Sequence, residues 1–188
     1  MPDHGDEARR LLLEEGARSY LDAISALIEF QKEVQKKCRS VMQRHIKDYG
    51  AALKIPLRPS DIQDAAWPKL EKWEGDYWHL GVSIVRRDIP GVRWWEGYYC
   101  LGFEAPNPGF CCWIGEWYPR KMATHLFRKF RRFHPKASME VEDGKTIWIN
   151  QRLKPEETSG FEEKLEELLE EWIRLWTKVG GIKEAFKP

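Results

Sequence analysis

Residues 77–117 read YWHLGVSIVRRDIPGVRWWEGYYCLGFEAPNPGFCCWIGEW, and their pattern specifies the centre of the fold. Apolar and polar residues alternate in three runs, which is the period of β-strands that bury one face. Residues 88–91 and 105–109 separate the runs, and each contains the Pro and Gly that favour turns. The stretch therefore predicts a three-stranded antiparallel meander. Its strands are predicted at 77–87, 92–104 and 110–117.

The turn lengths predict a register for the meander. A first hairpin closed at 88–91 sets Ile84 opposite Trp95, and a second turn centred near Pro106 sets Cys100 opposite Cys112. One face of the meander is then predicted to form the core, and we call it the first face. It would carry Trp78, Leu80, Val82, Ile84, Trp95, Tyr99, Leu101, Phe103, Cys111, Trp113 and Trp117. The opposite, second face would carry Tyr77, His79, Ser83, Trp94, Glu96, Tyr98, Cys100, Cys112, Ile114 and Glu116.

Helical patterns flank the meander. Between Asp6 and Tyr49 there is no Pro, and a seam of apolar residues recurs at alternating steps of four and three from Leu13, interrupted by Gln31 and His45. This heptad spacing predicts one long N-terminal helix over 1–50. A connector interrupted by prolines follows at 51–75, and residues 76–188 form the α+β core.

Further elements follow the meander. Residues 120–133 predict a helix before Pro135, and 145–151 predict a strand, with 137–142 as its short partner. A last, acidic helix ends at Gly180-Gly181. The chain is thus predicted to be one α+β domain. It has an antiparallel meander of three strands plus one or two further strands, a long N-terminal helix, a basic middle helix and an acidic C-terminal helix.

Composition narrows the functional classes. The formal net charge is +1, so any nucleic-acid interface must be a local patch. The N-terminus lacks the order of a signal peptide, and no apolar run reaches the ~20 residues of a membrane span, which predicts a cytoplasmic protein without a membrane partner. No dinucleotide-binding, P-loop, zinc-protease or esterase motif is present. We therefore favour a non-catalytic protein without a cofactor.

The second face offers two alternative chemistries. His79, Cys100 and Cys112 would lie in one row as potential zinc ligands, and Glu96 and Glu116 in another as potential acid–base partners. The competing interpretation is structural, because flat rows on a sheet converge poorly on a tetrahedral point. Burial of this face beneath the long helix is the favoured interpretation.

A basic stretch suggests a binding function. Residues 120–136 carry seven Lys or Arg and no acid, which is typical of a phosphate-binding patch. Aromatic residues on the second face could stack bases or grip a peptide. The predicted surface for a nucleic-acid or protein partner comprises Tyr77, Trp94, Tyr98, Arg120, Lys121, Arg128, Lys129, Arg131 and Arg132. The alternative is that the basic helix only faces the acidic helix or solvent.

The long helix suggests self-association. A helix of about 40 residues would be about 60 Å long, which exceeds the width of a domain of this size. Part of it should pair with the C-terminal helix or with another subunit. A homodimer through the N-terminal helix and a purely structural assembly subunit are therefore further hypotheses.

Overall fold

The computed structural model describes residues 4–67, 77–86, 95–104, 109–118, 120–135, 137–139, 146–154 and 160–187. Contacts divide the chain into two compact units, 1–34 and 35–188. The first unit is the N-terminal part of helix α1, which spans His4–Leu53 as one element of 50 residues. The helix ends at Leu53, and the next residue, Lys54, adopts a left-handed conformation with φ 58°.

A six-stranded sheet forms the centre of the second unit. Its spatial order is β1-β2-β3-β4-β6-β5, and every neighbouring pair is antiparallel. Strand β1 lies within the segment that was predicted to be a connector. The strand was not predicted because its sequence, IQDAAW, alternates too weakly between apolar and polar residues. The strands are β1 Ile62–Trp67, β2 Tyr77–Arg86, β3 Trp95–Glu104, β4 Gly109–Trp117, β5 Ser138–Met139 and β6 Thr146–Leu153.

Three further helices complete the second unit: α2 Arg120–Phe133, α3 Phe161–Val179 and α4 Ile182–Ala185. Helix α3 ends at the predicted glycine pair, where Gly180 takes φ 89° and its N–H donates to the carbonyl of Trp176 at 3.0 Å. Helices and antiparallel strands together confirm the α+β class. Over the described ranges, no helix is both long enough and apolar enough to cross a membrane.

The predicted register of the first hairpin is wrong by two residues. Ile84 lies opposite Gly97 rather than Trp95. Because side chains alternate with a period of two, this error leaves every residue of β3 on its predicted face. The residues 87–94 that connect the two strands lie outside the described residues.

The predicted register of the second hairpin is wrong by one residue. Cys100 lies opposite Trp113 rather than Cys112. A shift of one residue exchanges the two faces of a strand. Cys112, Ile114 and Glu116 therefore belong to the first face. Cys111 and Trp113 belong to the second, and the predicted positions on β4 are wrong.

Helices α1 and α3 cover the first face. Arg39 of α1 donates to the carbonyl of Ile62 at 3.2 Å, and Cys112 donates to the carbonyl of Phe161 in α3 at 3.8 Å. Residues 35–53 of α1 thus pack on the first face, and the prediction that the helix covers the second face is wrong for this part of it. Buried residues of this core include Val41, Met42, Tyr49, Ile62, Leu80, Val82, Ile84, Ile114, Ile147, Ile149, Leu165 and Leu169.

Helix α2 packs against α3 on the same side of the sheet. The Phe130 ring meets the rings of Trp172 and Trp176 edge to face, with centroids 5.0 and 5.3 Å apart. Ala123, Leu126 and Phe130 form the buried stripe of α2. The second face of the sheet therefore lies on the opposite side from all of these helices.

Candidate functional site

Glu116 is a fully buried carboxylate on the first face, with 0% exposure. Trp172 and Trp176 of α3 donate their indole N–H groups to its Oε1 at 2.8 and 2.9 Å. The Tyr118 hydroxyl donates to Oε2 at 2.6 Å, and the Tyr49 hydroxyl of α1 donates to Oε1. A carboxylate enclosed in this way joins α1, β4 and α3 through one residue and has no surface for a substrate.

The predicted acid–base pair does not form. Glu96 lies opposite Val85 and Trp117, which places it on the second face, whereas Glu116 lies on the first. The backbone register thus assigns the two residues to opposite faces of the sheet. The predicted row of carboxylates is wrong.

The predicted row of metal ligands is also wrong. His79 lies opposite Gly102, Cys100 opposite Trp113 and Cys112 opposite Leu101, so none of the three faces another across the strands. Cys112 also points to the first face, away from the other two positions. The side chains of His79 and Cys100 lie outside the described residues. Among the side chains that are described, no group of three or more His, Cys, Asp or Glu is arranged to hold a metal ion.

Two thiols in the core are chemically suppressed. Burial, with a smaller contribution from the neighbouring Cys111, raises the pKa of the Cys112 thiol to about 12. Burial also raises the pKa of the Cys38 thiol well above its ordinary range, with a smaller contribution from Cys112. Because the thiolate is the reactive form, neither residue is suited to nucleophilic chemistry.

We expect Cys38 and Cys112 to resist alkylation at pH 8 until the protein unfolds. Iodoacetamide labelling in native buffer and in denaturant, followed by peptide mass mapping, checks this.

The raised pKa values also make the stability depend on pH. Their contribution to the free energy of unfolding is fully present below the pKa of an unfolded thiol, near 9.0, and is lost as the pH rises towards about 12. A Cys38→Ala/Cys112→Ala variant should therefore lose less stability than the parent over that interval. Rapid native labelling of either thiol would contradict the enclosed core.

Basic residues of α2 form an exposed surface, here called the basic stripe: Lys121, Arg128, Arg131 and Arg132. At 3.6 residues per turn, Lys121 and Arg132 project within about 40° of Arg128 around the helix axis. The buried residues of α2 project in the opposite direction. Arg131 stacks on the Phe127 ring at 5.6 Å, which restricts its motion.

The acidic helix α3 does not neutralise the basic stripe. Its Glu162 and Glu166 bind Arg44 of α1 at 3.1 and 3.0 Å, and Glu166 also binds His45 at 2.8 Å. The His45 and Arg44 hydrogen bonds lower the pKa of Glu166. Within the described part of the chain, no carboxylate lies within ion-pair distance of a basic-stripe side chain. His134 of the same basic stretch pairs with Glu171 of α3 at 2.9 Å. The basic-stripe side chains themselves face solvent, which the predicted alternative also includes.

Other predicted binding residues lie elsewhere. Lys129 donates to the carbonyl of Glu184 at 2.9 Å, so α4 engages it. Arg120 begins α2, and its side chain is outside the described residues, as are those of Tyr77 and Tyr98. Trp94 lies outside them entirely. The backbone register assigns Tyr77 and Tyr98 to the second face, across the sheet from the basic stripe.

An aromatic pair on the second face was missed by sequence reasoning. Trp113 and Trp148 are half-buried there, beside Gly115. A Cβ on Gly115 would lie 2.9 Å from Cβ of Trp148 and 3.0 Å from Cζ3 of Trp113, so the glycine leaves room for both side chains. The one-residue register error had assigned Trp113 to the core.

No family model, curated protein or solved structure matches this chain. The geometry of the described residues therefore guides the functional conclusion.

Proposed function

We propose that the protein is a non-catalytic binding protein whose basic stripe contacts the sugar–phosphate backbone of a nucleic acid. One observation carries the proposal: Lys121, Arg128, Arg131 and Arg132 are exposed on α2 without a carboxylate partner among the described residues. Exposed guanidinium and ammonium groups bind phosphate oxygens by charge-assisted hydrogen bonds.

The dimensions of the basic stripe support the proposal. From Lys121 to Arg132 the helix rises about 16 Å at 1.5 Å per residue. One strand of a duplex rises 3.4 Å per nucleotide, so the stripe matches the axial length of about five nucleotides and can contact the phosphates on the near side of the duplex. Such contacts position a protein on a nucleic acid without reading its sequence. The net charge of +1 implies that binding comes from this local patch and weakens with salt.

The cytoplasmic location inferred from the sequence stays a prediction.

We expect fluorescein-labelled duplex DNA to bind with an affinity that falls by about 100-fold between 50 and 200 mM salt, since four phosphate contacts give a slope of about −3.6. Arg128→Ala/Arg132→Ala should weaken binding at every sequence and reduce the slope by about 2, one unit for each lost contact. Fluorescence anisotropy over a salt series measures both quantities, and single-stranded oligonucleotides are titrated in parallel.

Lys36→Ala serves as the matched control. Lys36 is exposed on α1, one turn from Arg39. Arg39 binds Asp64 of β1 at 2.7 Å, and β1 is the edge strand at the opposite end of the sheet from β5. The loss of Lys36 should leave affinity and slope within error. No binding at 50 mM salt contradicts the proposal. Binding that survives the double substitution but is lost in Trp113→Ala would assign the interface to the second face instead.

A further inference from the structure

The first unit exposes an unusual amount of apolar surface for a single helix. Leu12, Leu13 and Tyr20 are 70%, 67% and 66% exposed, and Leu21 is 61% exposed. Leu11 and Ile28 are exposed as well. An isolated helix of this length is marginal in water, and Gly16 lowers its propensity further. These side chains therefore require a partner.

The heptad frame identifies the surface that needs covering. Leu13, Tyr20 and Leu27 occupy position d, and Ala17 and Ile24 occupy position a. Position e adds Leu21 and Ile28, so the apolar stripe is wider than a simple a/d seam. The same frame continues into the second unit, where its members Cys38 and Val41 are fully buried.

The flanking positions complement each other across a parallel pair of identical helices. In such a pair, position g of one helix faces position e of the next heptad on its partner. Arg9 then faces Glu14, which brings opposite charges together. Gly16 faces Leu21, and Ala23 faces Ile28, so each large side chain meets a small one. The open space around Gly16, where a Cβ would have no heavy atom within 4 Å, can accommodate Leu21 of the second copy.

We infer that residues 9–28 form a parallel, two-stranded coiled coil with a second copy of this chain. The occupant is a second copy because all three g-to-e pairs of the chain's own sequence are complementary, one in charge and two in size. Burial of Leu13, Tyr20, Leu21 and Ile28 at positions d and e supplies the apolar area of the contact. The inference does not depend on the proposed nucleic-acid contact, which uses α2.

Gly16→Leu tests the g-to-e packing. The substitution raises helix propensity, so it should stabilise the helix if no partner is present. In the coiled coil it overpacks against Leu21 of the second copy, and we expect the dimer dissociation constant to rise by about tenfold or more. Sedimentation equilibrium over a concentration series measures it. Ser19→Leu is the control, because exposed Ser19 occupies position c, away from the partner.

A charge exchange tests orientation. Arg9→Glu and Glu14→Arg each place like charges opposite one another in a parallel dimer, and each should weaken it by roughly threefold, as expected for surface ion pairs. The double variant should recover most of the lost affinity, although Glu14→Arg also removes the pair of Glu14 with Arg10 of its own helix at 3.7 Å. A monomer at all concentrations overturns the inference. So does a dimer whose dissociation constant is unchanged by Gly16→Leu, or one whose charge-exchanged double variant stays weak.

Discussion

Glu116→Ala should lower the free energy of unfolding by about 4 kcal/mol, since a buried donor left without its acceptor costs about 1–3 kcal/mol and such costs are not fully additive. Four buried donors converge on this carboxylate: the hydroxyls of Tyr49 and Tyr118 and the indole N–H groups of Trp172 and Trp176. Alanine would remove every acceptor and leave a cavity among aromatic rings. Urea denaturation monitored by tryptophan fluorescence measures the loss.

Two further variants identify the cause. Glu116→Gln keeps one carbonyl oxygen for the indoles and turns the other position into a donor, to which the Tyr118 hydroxyl can act as an acceptor. We expect it to lose about 1–2 kcal/mol, less than alanine does. Glu170→Ala removes an exposed carboxylate from α3 and should change stability by less than about 0.5 kcal/mol. Equal losses for Glu116→Ala and Glu170→Ala would contradict the network.

Gly181→Ala should lower the free energy of unfolding by about 3 kcal/mol, because backbone strain and overpacking each cost about 1–3 kcal/mol. Gly181 has φ 86° and ψ 177°, a conformation that only glycine adopts readily. A Cβ at this position would also lie 2.9 Å from the carbonyl oxygen of Leu53 and 2.9 Å from Cγ of Lys54. The α3–α4 turn thus contacts the end of α1 at a point that no side chain can enter. Thermal unfolding and urea titration measure the effect.

Gly160→Ala is the matched control for this substitution. Gly160 has φ −96°, and a Cβ there would meet no heavy atom within 4 Å. Alanine is therefore compatible with the backbone of this N-cap position and should change stability by less than about 1 kcal/mol. If Gly181→Ala proved as mild as Gly160→Ala, the close approach of the turn to Leu53 would be refuted.

The candidate site was partly predictable from the sequence. The run of Lys and Arg over 120–136 identified α2 as the basic element, and its 3.6-residue period separated the exposed residues from the buried ones. Whether these charges are neutralised was not predictable. Neutralisation depends on Arg44 and His45 of α1, which bind Glu166 of α3 although they lie more than 100 residues before it in the sequence. Glu116 gave no local indication of its network, because its donors come from α1, α3 and the residue after β4.

In the meander, the local alternation of apolar and polar residues predicts the strands but does not fix the register of every hairpin. Alternation with a period of two predicts strands at 77–87, 92–104 and 110–117, and a register error of two residues in the first hairpin left the faces of β2 and β3 intact. The second hairpin needed an exact register, because one residue exchanges the faces of β4. Only tertiary structure decided that Glu116 faces the core and Trp113 faces outward. The physical reason is that alternation specifies which residues share a face, whereas packing against α1 and α3 selects the register that buries Cys112 and Ile114.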